Sequence, residues 1–465
     1  MQDSRVVTSV GIGRDITRKS FFDPREKPKF MKDLLRKGAT SLWLILLIAL
    51  GARSAFAWYE VRQFSPHVLS IVPFQTETGH IAYSIAFGKG YSSPFQKDTG
   101  PTAWLAPVYP YLLAGIFKVF GIYTLHSFFA ALFLNILFSA AACVPIFYAG
   151  KHVAGLGVAS AAAWLWALFP NAVLIPFEWI WDTCLSALLV AALLWATLNL
   201  AESHRVRDWC FYGVLWGFAL LTNPAIGSVF PVLLVWAAYR TRDGQQPRVW
   251  LVRPMLAACF ALFCCMPWTV RNYLQFHKFI PLRSNFGFEL YIGNNENYDD
   301  QNRFRPGVIT QDREILRYVR MGETPFMAEE MRKAVGFIRS HPRTELWLIS
   351  QRFVDFWAGT ATPVAVFRQV DSSWLRIILL CNYAAPLCAF LGIIVLSLEK
   401  KPFAIPVTAF PLVFPLLYYV THTSLRYRHP IDPVVLLLAA IGVHGMWSWL
   451  SRKTGKTAGV QPSEA

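Results

Sequence analysis

Long apolar runs dominate this chain, and they leave it few folds. They fall near residues 40–58, 127–149, 154–170, 182–200, 209–224, 226–241, 254–272, 374–397, 403–421 and 431–450. A helix that crosses a bilayer needs roughly 17–25 apolar residues, so the pattern predicts roughly ten spans. Another apolar stretch, 105–120, is shorter and Pro-rich at its start. Composition agrees. Of the 465 residues 55% are hydrophobic and only 15% are charged, against about 25% charged in a soluble domain. Mean hydropathy is +0.37. Aromatics reach 15%, with 18 Trp, a residue that favours the membrane–water interface. The expected fold class is an all-α polytopic membrane protein.

The net charge of +16 would suggest nucleic-acid binding in a soluble protein. In a membrane protein it suits basic cytoplasmic loops beside anionic headgroups, and no nucleic-acid partner is expected. The positive-inside rule then gives a topology. With the N-terminus inside and 105–120 lying at the interface, Lys151-His152, His204 to Arg207, Arg240, Arg242, Arg248, Arg253, Lys400-Lys401 and the tail Arg452, Lys453 and Lys456 all fall on the inner side. Counting 105–120 as a full span would put Lys151 and Arg205 outside.

This scheme divides the chain into a basic cytoplasmic tail (1–39), an N-terminal transmembrane module (40–272) holding a first outer loop (59–126), a second outer loop (273–373), C-terminal spans (374–451) and a cytoplasmic tail (452–465). Shorter outer segments lie near 171–182 and 422–430. The basic tail before Ser41 reads as the flank of a start-transfer anchor, without a cleavable signal, and Met31 is an alternative start. An amphipathic helix is expected near 326–340, suited to lying on the membrane or the bundle. The eight cysteines lack metal-ligand spacing and read as small core hydrophobes.

Candidate chemistry concentrates on the outer segments. Glu77, His80 and Ser84 stand at i, i+3 and i+7 and share one helical face. Gly88 and Gly90 end that helix; they are not a nucleotide loop, which needs a preceding strand. Glu178 and Asp182 are i, i+4 neighbours at the head of a span, where acids are costly and usually functional. Each acid has a blander reading: Glu77 as an inert carboxylate at a helix N-terminus, Asp182 as an interfacial cap. Arg271, Lys278, Arg283, Arg426 and Arg428 face outward, against the positive-inside bias. Arg426 and Arg428 suit a phosphate, which a guanidinium binds through two parallel hydrogen bonds, or else anchor the chain to headgroups. Thr222-Asn223-Pro224 reads as a turn between spans.

The segment "ETGHIAYSIAFGKGYSSPF" followed by "GPTAWLAPVYPYLLAGIFKVFG" resembles the first outer loop of the dolichyl-phosphate-mannose protein mannosyltransferase group, which includes the lipid A aminoarabinose transferases. The shared features are an acid after the first span (Glu77), a Gly-x-Gly-aromatic turn (Gly88 to Tyr91), and a Pro-aromatic-Pro lead-in (Pro107 to Pro110). "RSNFGFELYIGNNE" (Arg283–Glu296) and "LRYRHPIDPVVLLLAA" (Leu425–Ala440) resemble later segments of bacterial members.

The resemblance implies a GT-C type fold and an inverting glycosyltransferase. It would carry a sugar from a polyprenyl phosphate to a glycan, lipid or protein acceptor at the periplasmic face of a bacterial inner membrane. It gives Glu77 the role of base and places Asp182 beside it. Arg426, Arg428, Arg283 and Lys97 become candidates for the donor phosphate. His80, Glu178 and Tyr109 become candidates for contacting sugar or acceptor. Relatives commonly carry Asp at the position of Glu77, a departure that lends weight to an inactive scaffold; the Asp-x-Asp pair of metal-dependent relatives is missing, so no cofactor and no obligatory metal are expected. The rival readings are a transporter or flippase for a lipid-linked sugar, which would usually show repeats and broken helices at the midplane, and a GT-C-like scaffold that has lost activity.

Overall fold

A computed structural model describes residues 38–242, 247–296, 312–360 and 363–453. The basic residues before Gly38, the alternative start at Met31, residues 297–311 of the second outer loop and the tail after Lys453 lie outside the described residues. The chain divides between Ser41 and Leu42 into two compact units. The long apolar helices and the cavity described below all belong to the second.

The apolar runs fold as helices. Six are long and apolar enough to cross a membrane: Leu42–Val61, Leu125–Leu168, Thr183–Leu200, Leu251–Phe276, Ser373–Leu398 and Leu425–Arg452. The first apolar run of the sequence, near 40–58, is thus the Leu42–Val61 helix. The 44-residue stretch contains two of the expected spans. It breaks at Ala142, between the Leu125–Ala141 and Cys143–Leu168 helices, and again at Gly155, whose φ of 83° interrupts the second of these. Val206–Thr222 is a further apolar helix, and Val108–Phe120, Pro224–Arg240 and Ala404–Val420 are shorter ones. The 13-residue Val108–Phe120 helix is too short to span alone. Among the described residues there is no β-strand, only a single antiparallel bridge between Ser92 and Pro101.

Helices meet at small residues, as they do where no hydrophobic force draws helices together in lipid. A Cβ on Gly392 would lie 2.1 Å from the Leu438 carbonyl oxygen, and one on Gly442 would lie 2.4 Å from that of Cys388. These two glycines bring Ser373–Leu398 against the last span. Arg53, fully buried in the first span, donates to Ser139 Oγ at 2.8 Å and to the carbonyls of Ala49, Ala167 (both 2.9 Å) and Trp166 (3.2 Å). It thereby caps the carbonyls that end the Cys143–Leu168 helix. The cysteines are all free; Cys143, Cys184 and Cys265 are buried, but Cys259 is exposed on its helix and is no core residue.

The two ends of the bundle separate by chemistry. At one end, loops expected on the inner side touch one another. His152 Nε2 lies 3.2 Å from the Glu202 carboxylate and Arg253 lies 3.2 Å from His204, while the His152 ring packs edge-on against Phe403 at 4.7 Å. At the other end, segments from 59–126, 171–182, 273–373 and 422–430 close around one cavity. The expected amphipathic helix is Glu323–Ser340. Its buried residues include Phe326, Met327 and Ala334, so it packs on the protein.

Candidate functional site

The first wall of the cavity is the Glu77–Ala86 helix. Thr76 caps it, its hydroxyl accepting from the Gly79 amide at 3.3 Å, which fixes the first turn and the carboxylate upon it. The helix stops where Gly88 and Gly90 adopt φ of 83° and 74°, values that disfavour any side chain. The chain then doubles back through Tyr91. The Tyr91 hydroxyl donates to the Leu105 carbonyl at 2.9 Å. Arg271 holds this loop from the neighbouring span, donating to the carbonyls of Thr102 at 2.6 Å and Tyr91 at 2.7 Å. One of the arginines expected to face outward therefore has a structural task.

The opposite wall comes from the second outer loop and the segment before the last span. Asn285 precedes the Phe286–Gly293 helix, which carries Glu289 into the cavity. Glu289 Oε1 accepts from Asn285 Nδ2 at 2.5 Å and from Arg283 at 3.4 Å, and Oε2 lies 3.4 Å from His422 Nδ1. Arg426 reaches in beside them. Its guanidinium lies 4.3 Å from the Trp179 ring, 4.8 Å from Trp181 and 5.0 Å from Tyr427, an arrangement that holds a cation by the ring quadrupoles, and its Nη2 donates to Tyr427 Oη at 3.2 Å. Asp182, just before the Thr183–Leu200 helix, accepts from Ser186 Oγ at 3.0 Å.

The cavity has a volume of about 690 Å³, with Glu77, His80, Asp182, Arg283, Glu289 and Arg426 among its lining residues. That suffices for a small polar ligand of several rings. Burial raises the Glu77 carboxyl above its ordinary value, against the pull of Arg426 and Arg283; Glu289 pushes it the same way. Burial also raises Asp182, opposed by its bond from Ser186 and by the same two arginines. Burial pushes His80 down to about 4, so its ring is neutral at neutral pH and offers no positive charge to a phosphate. Burial lowers His422 as well, although Glu289 acts in the other direction.

The structure thus brings together Glu77, Asp182, Arg283, Arg426 and His80. It leaves four other candidates outside the cavity. Arg428 is fully buried and locked in a different cluster: it donates to Asp432 Oδ1 at 2.7 Å, Asn382 Oδ1 at 2.6 Å and the Trp357 carbonyl. Alternate residues of a short helix point to different sides, so one member of the Arg-x-Arg pair reaches the cavity and the other the core. Lys97 is exposed beyond the cavity-lining Phe95 and Gln96, and Glu178 is exposed at the end of its helix. Tyr109 is buried and donates to Asn135 at 2.8 Å. Asn135 in turn donates to the Trp179 carbonyl at 3.0 Å. Tyr109 therefore braces the turn that carries the aromatic partners of Arg426.

The cavity also holds Glu289 and His422, which the sequence does not single out. The i, i+4 spacing of Asn285 and Glu289 beside Arg283 was the available signal; His422 has none in sequence, because its partner is 133 residues away. Thr222-Asn223-Pro224 does form a turn, capped by Asn223 Oδ1 accepting from Ala225 N at 3.2 Å, and Asn223 also lines the cavity. Among the described residues no group of three or more His, Cys, Asp or Glu is arranged to hold a metal ion.

Comparison with known proteins follows the same outline. A family model described as dolichyl-phosphate-mannose-protein mannosyltransferase matches residues 104–270. No curated protein matches the chain. Among solved structures, the oligosaccharyltransferase of Archaeoglobus fulgidus in its apo form is similar at 13% identity and a TM-score of 0.51, covering 91% of this chain and 52% of that one. The same archaeal oligosaccharyltransferase, AglB, in complex with an inhibitory peptide and a dolichol-phosphate is similar at 14% identity and a TM-score of 0.52, with the same coverage. The chain spans about half the length of the solved structures it matches. The family match lies across the central helices, and the fold shared over nine-tenths of this chain is the GT-C type polytopic helical fold of that oligosaccharyltransferase.

Proposed function

We propose that this protein transfers a sugar from a polyprenyl-phosphate donor to an acceptor hydroxyl at the outer face of a membrane, with inversion at the anomeric carbon. The observation that carries the reading is one cavity holding a carboxylate of raised proton affinity, Glu77, together with two guanidiniums, Arg283 and Arg426. The family match supports a lipid-linked donor, and the likeness to a structure that holds a dolichol-phosphate supports it further.

The chemistry follows from charge. Glu77 accepts the proton of the acceptor hydroxyl as its oxygen attacks the anomeric carbon. The bond from that carbon to the phosphate oxygen breaks, and the leaving lipid phosphate gains negative charge. Arg426 and Arg283 stabilise that charge from fixed positions. Asp182 is the second acid and balances the two arginines. His80, neutral and on the same helical face as Glu77, is placed to bond a hydroxyl without competing for the phosphate. In this reading the donor's tail lies in the bilayer beside the apolar helices, and the positive-inside rule puts both termini in the cytoplasm. A bacterial inner membrane fits the segments resembling bacterial members.

The test is sugar transfer by the purified chain in lipid, from a panel of radiolabelled polyprenyl-phosphate sugars to crude membrane acceptor, with and without EDTA. Transfer that survives EDTA and disappears in Glu77→Gln is expected. Transfer at the parental rate by a stable Glu77→Gln protein would remove Glu77 as the base. Absence of transfer from every donor would overturn the reading in favour of transport or an inactive scaffold.

A further inference from the structure

Glu289 has no part in the proton transfer or the phosphate contacts just described, yet it is placed with more care than either demands. Its carboxylate is only about a quarter exposed, and that exposure is to the cavity. Asn285 and Arg283 hold its Oε1, at 2.5 and 3.4 Å, and His422 lies 3.4 Å from its Oε2. His422 is itself held by the Tyr427 hydroxyl, 3.1 Å from Nε2. The helix beneath Glu289 is pinned as well. A Cβ on Gly293 would lie 1.8 Å from the Thr421 carbonyl oxygen. Asn294 Nδ2 donates to the Val420 carbonyl at 2.9 Å, and Arg352 donates to Asn294 Oδ1 and to the Val420 carbonyl, both at 3.0 Å.

We propose that Glu289 is the specificity-determining residue of the site, the carboxylate that accepts hydrogen bonds from the hydroxyls of the donor's sugar. This rests on the lipid-phosphate donor reading above. Arg283 supplies the geometry. Its Nε donates to Asn285 Oδ1 at 2.9 Å and its Nη2 meets Glu289 at 3.4 Å, so a phosphate taken by the remaining Nη1 leaves the sugar bonded to it beside Glu289.

The carboxylate supplies the chemistry. It has about four acceptor positions, and three protein groups approach it, which leaves room for a ligand hydroxyl. Ionised acceptors make the stronger bonds to hydroxyls. Trp104 and Phe288, buried and 5.1 Å apart, close that side of the cavity with apolar surface. A bare lipid phosphate would gain nothing from Glu289 and would be repelled by it. Glu289 therefore separates a loaded donor from the spent lipid that leaves after transfer.

The test reads binding and needs no turnover. Dissociation constants are measured for the purified full chain in lipid nanodiscs with decaprenyl phosphate and with decaprenyl-phosphate mannose, glucose, galactose and N-acetylglucosamine. The wild-type chain is expected to bind at least one sugar-bearing lipid about 10- to 100-fold more tightly than the bare lipid, the span of one or two charge-assisted bonds. Glu289→Gln and Glu289→Ala are expected to bring that ratio to within about threefold of unity, while continued binding of the bare lipid shows that both are folded. A ratio preserved in both variants overturns the proposal. So does a wild-type chain that prefers none of the four, or variants that lose the bare lipid as fully as the loaded one, which would make Glu289 a mere support for Arg283. Failure of the base assignment shows separately, as continued transfer by Glu77→Gln with this binding ratio intact.

Discussion

The Ala103 amide donates to Glu323 Oε1 at 2.8 Å, across 220 residues of sequence. Three more donors meet the same buried carboxylate: Thr102 Oγ1 at 2.5 Å, and Tyr318 Oη and Ser284 Oγ, each at 2.6 Å. Thr102 and Ala103 precede the cavity residues Trp104 and Leu105, and Ser284 lies between the cavity residues Arg283 and Asn285. One carboxylate therefore joins the loop that carries Glu77 to the loop that carries Arg283.

Replacing Glu323 with Ala strands four donors in a buried place. Each orphan costs about 1–3 kcal/mol, and solvent that enters the gap recovers part of that, so a loss of about 3 kcal/mol or more is expected. Thermal unfolding in lipid reads it. Glu323→Gln keeps one acceptor and should fall between Ala and wild type. An Ala variant with an unchanged midpoint would mean that the two loops are held elsewhere.

The raised proton affinity of Glu77 has a sign that can be checked twice. A base must be ionised to act, so the acidic limb of kcat/KM should lie above the ordinary glutamate range near about 4.3. For stability, the folded state binds the proton more tightly than the unfolded chain. Stability is therefore lost as pH rises from the unfolded value through the folded one. Glu77→Gln should be more heat-stable than wild type at neutral pH, with the advantage shrinking as pH falls and gone below the unfolded value. An advantage independent of pH would mean that the carboxylate carries no such burial cost.

How much of this could be read from the sequence depends on the range of the interaction. The helices were legible because an apolar run long enough to span needs no knowledge of its neighbours. Glu77 stands out through the first-loop resemblance, Asp182 through the cost of an acid at the head of a span, and Arg426 through its place against the positive-inside bias; all three line the cavity. Arg426 and Arg428 could not be told apart, since the two identical residues differ only in what surrounds them: Trp179 and Trp181 for one, Asp432 and Asn382 for the other. Tyr109 misled for a related reason. Its motif position suggested a ligand contact, and its hydroxyl instead serves Asn135. Glu289 and His422 become a pair only in the folded chain.

Those surroundings predict opposite phenotypes for the two arginines. Arg428→Ala leaves Asp432 buried without its partner, a loss of about 3–5 kcal/mol that should appear in unfolding. Arg426→Ala removes a cation held on aromatic faces at the cavity, and should weaken binding of bare decaprenyl phosphate by about 10-fold or more with little loss of stability. Arg426→Lys should recover only part, because an ammonium cannot form the paired bonds of a guanidinium. Equal loss of lipid binding in stable Arg426→Ala and Arg428→Ala proteins would sink the distinction.

Gly79 makes the strictest demand on the site. A Cβ there would lie 1.9 Å from the Phe74 carbonyl oxygen, 2.7 Å from its carbon and 2.9 Å from Cα. These are backbone atoms, which cannot swing aside as a side-chain end can. Gly79→Ala must therefore shift the start of the helix, and Glu77 sits two residues before it in the first turn. Overpacking of this kind costs about 1–3 kcal/mol, and a displacement of about 1 Å at a reacting group can cost about 100-fold in rate. Gly115 is the control. It lies in the Val108–Phe120 helix with nothing within 4 Å of a built Cβ, so Gly115→Ala should be neutral or slightly stabilising, by up to about 1 kcal/mol. Transfer rates and unfolding midpoints of the two variants, measured side by side, decide the matter. A Gly79→Ala protein as active as Gly115→Ala would show that the Glu77 carboxylate is free to move without loss, and that the base is not fixed by the turn that carries it.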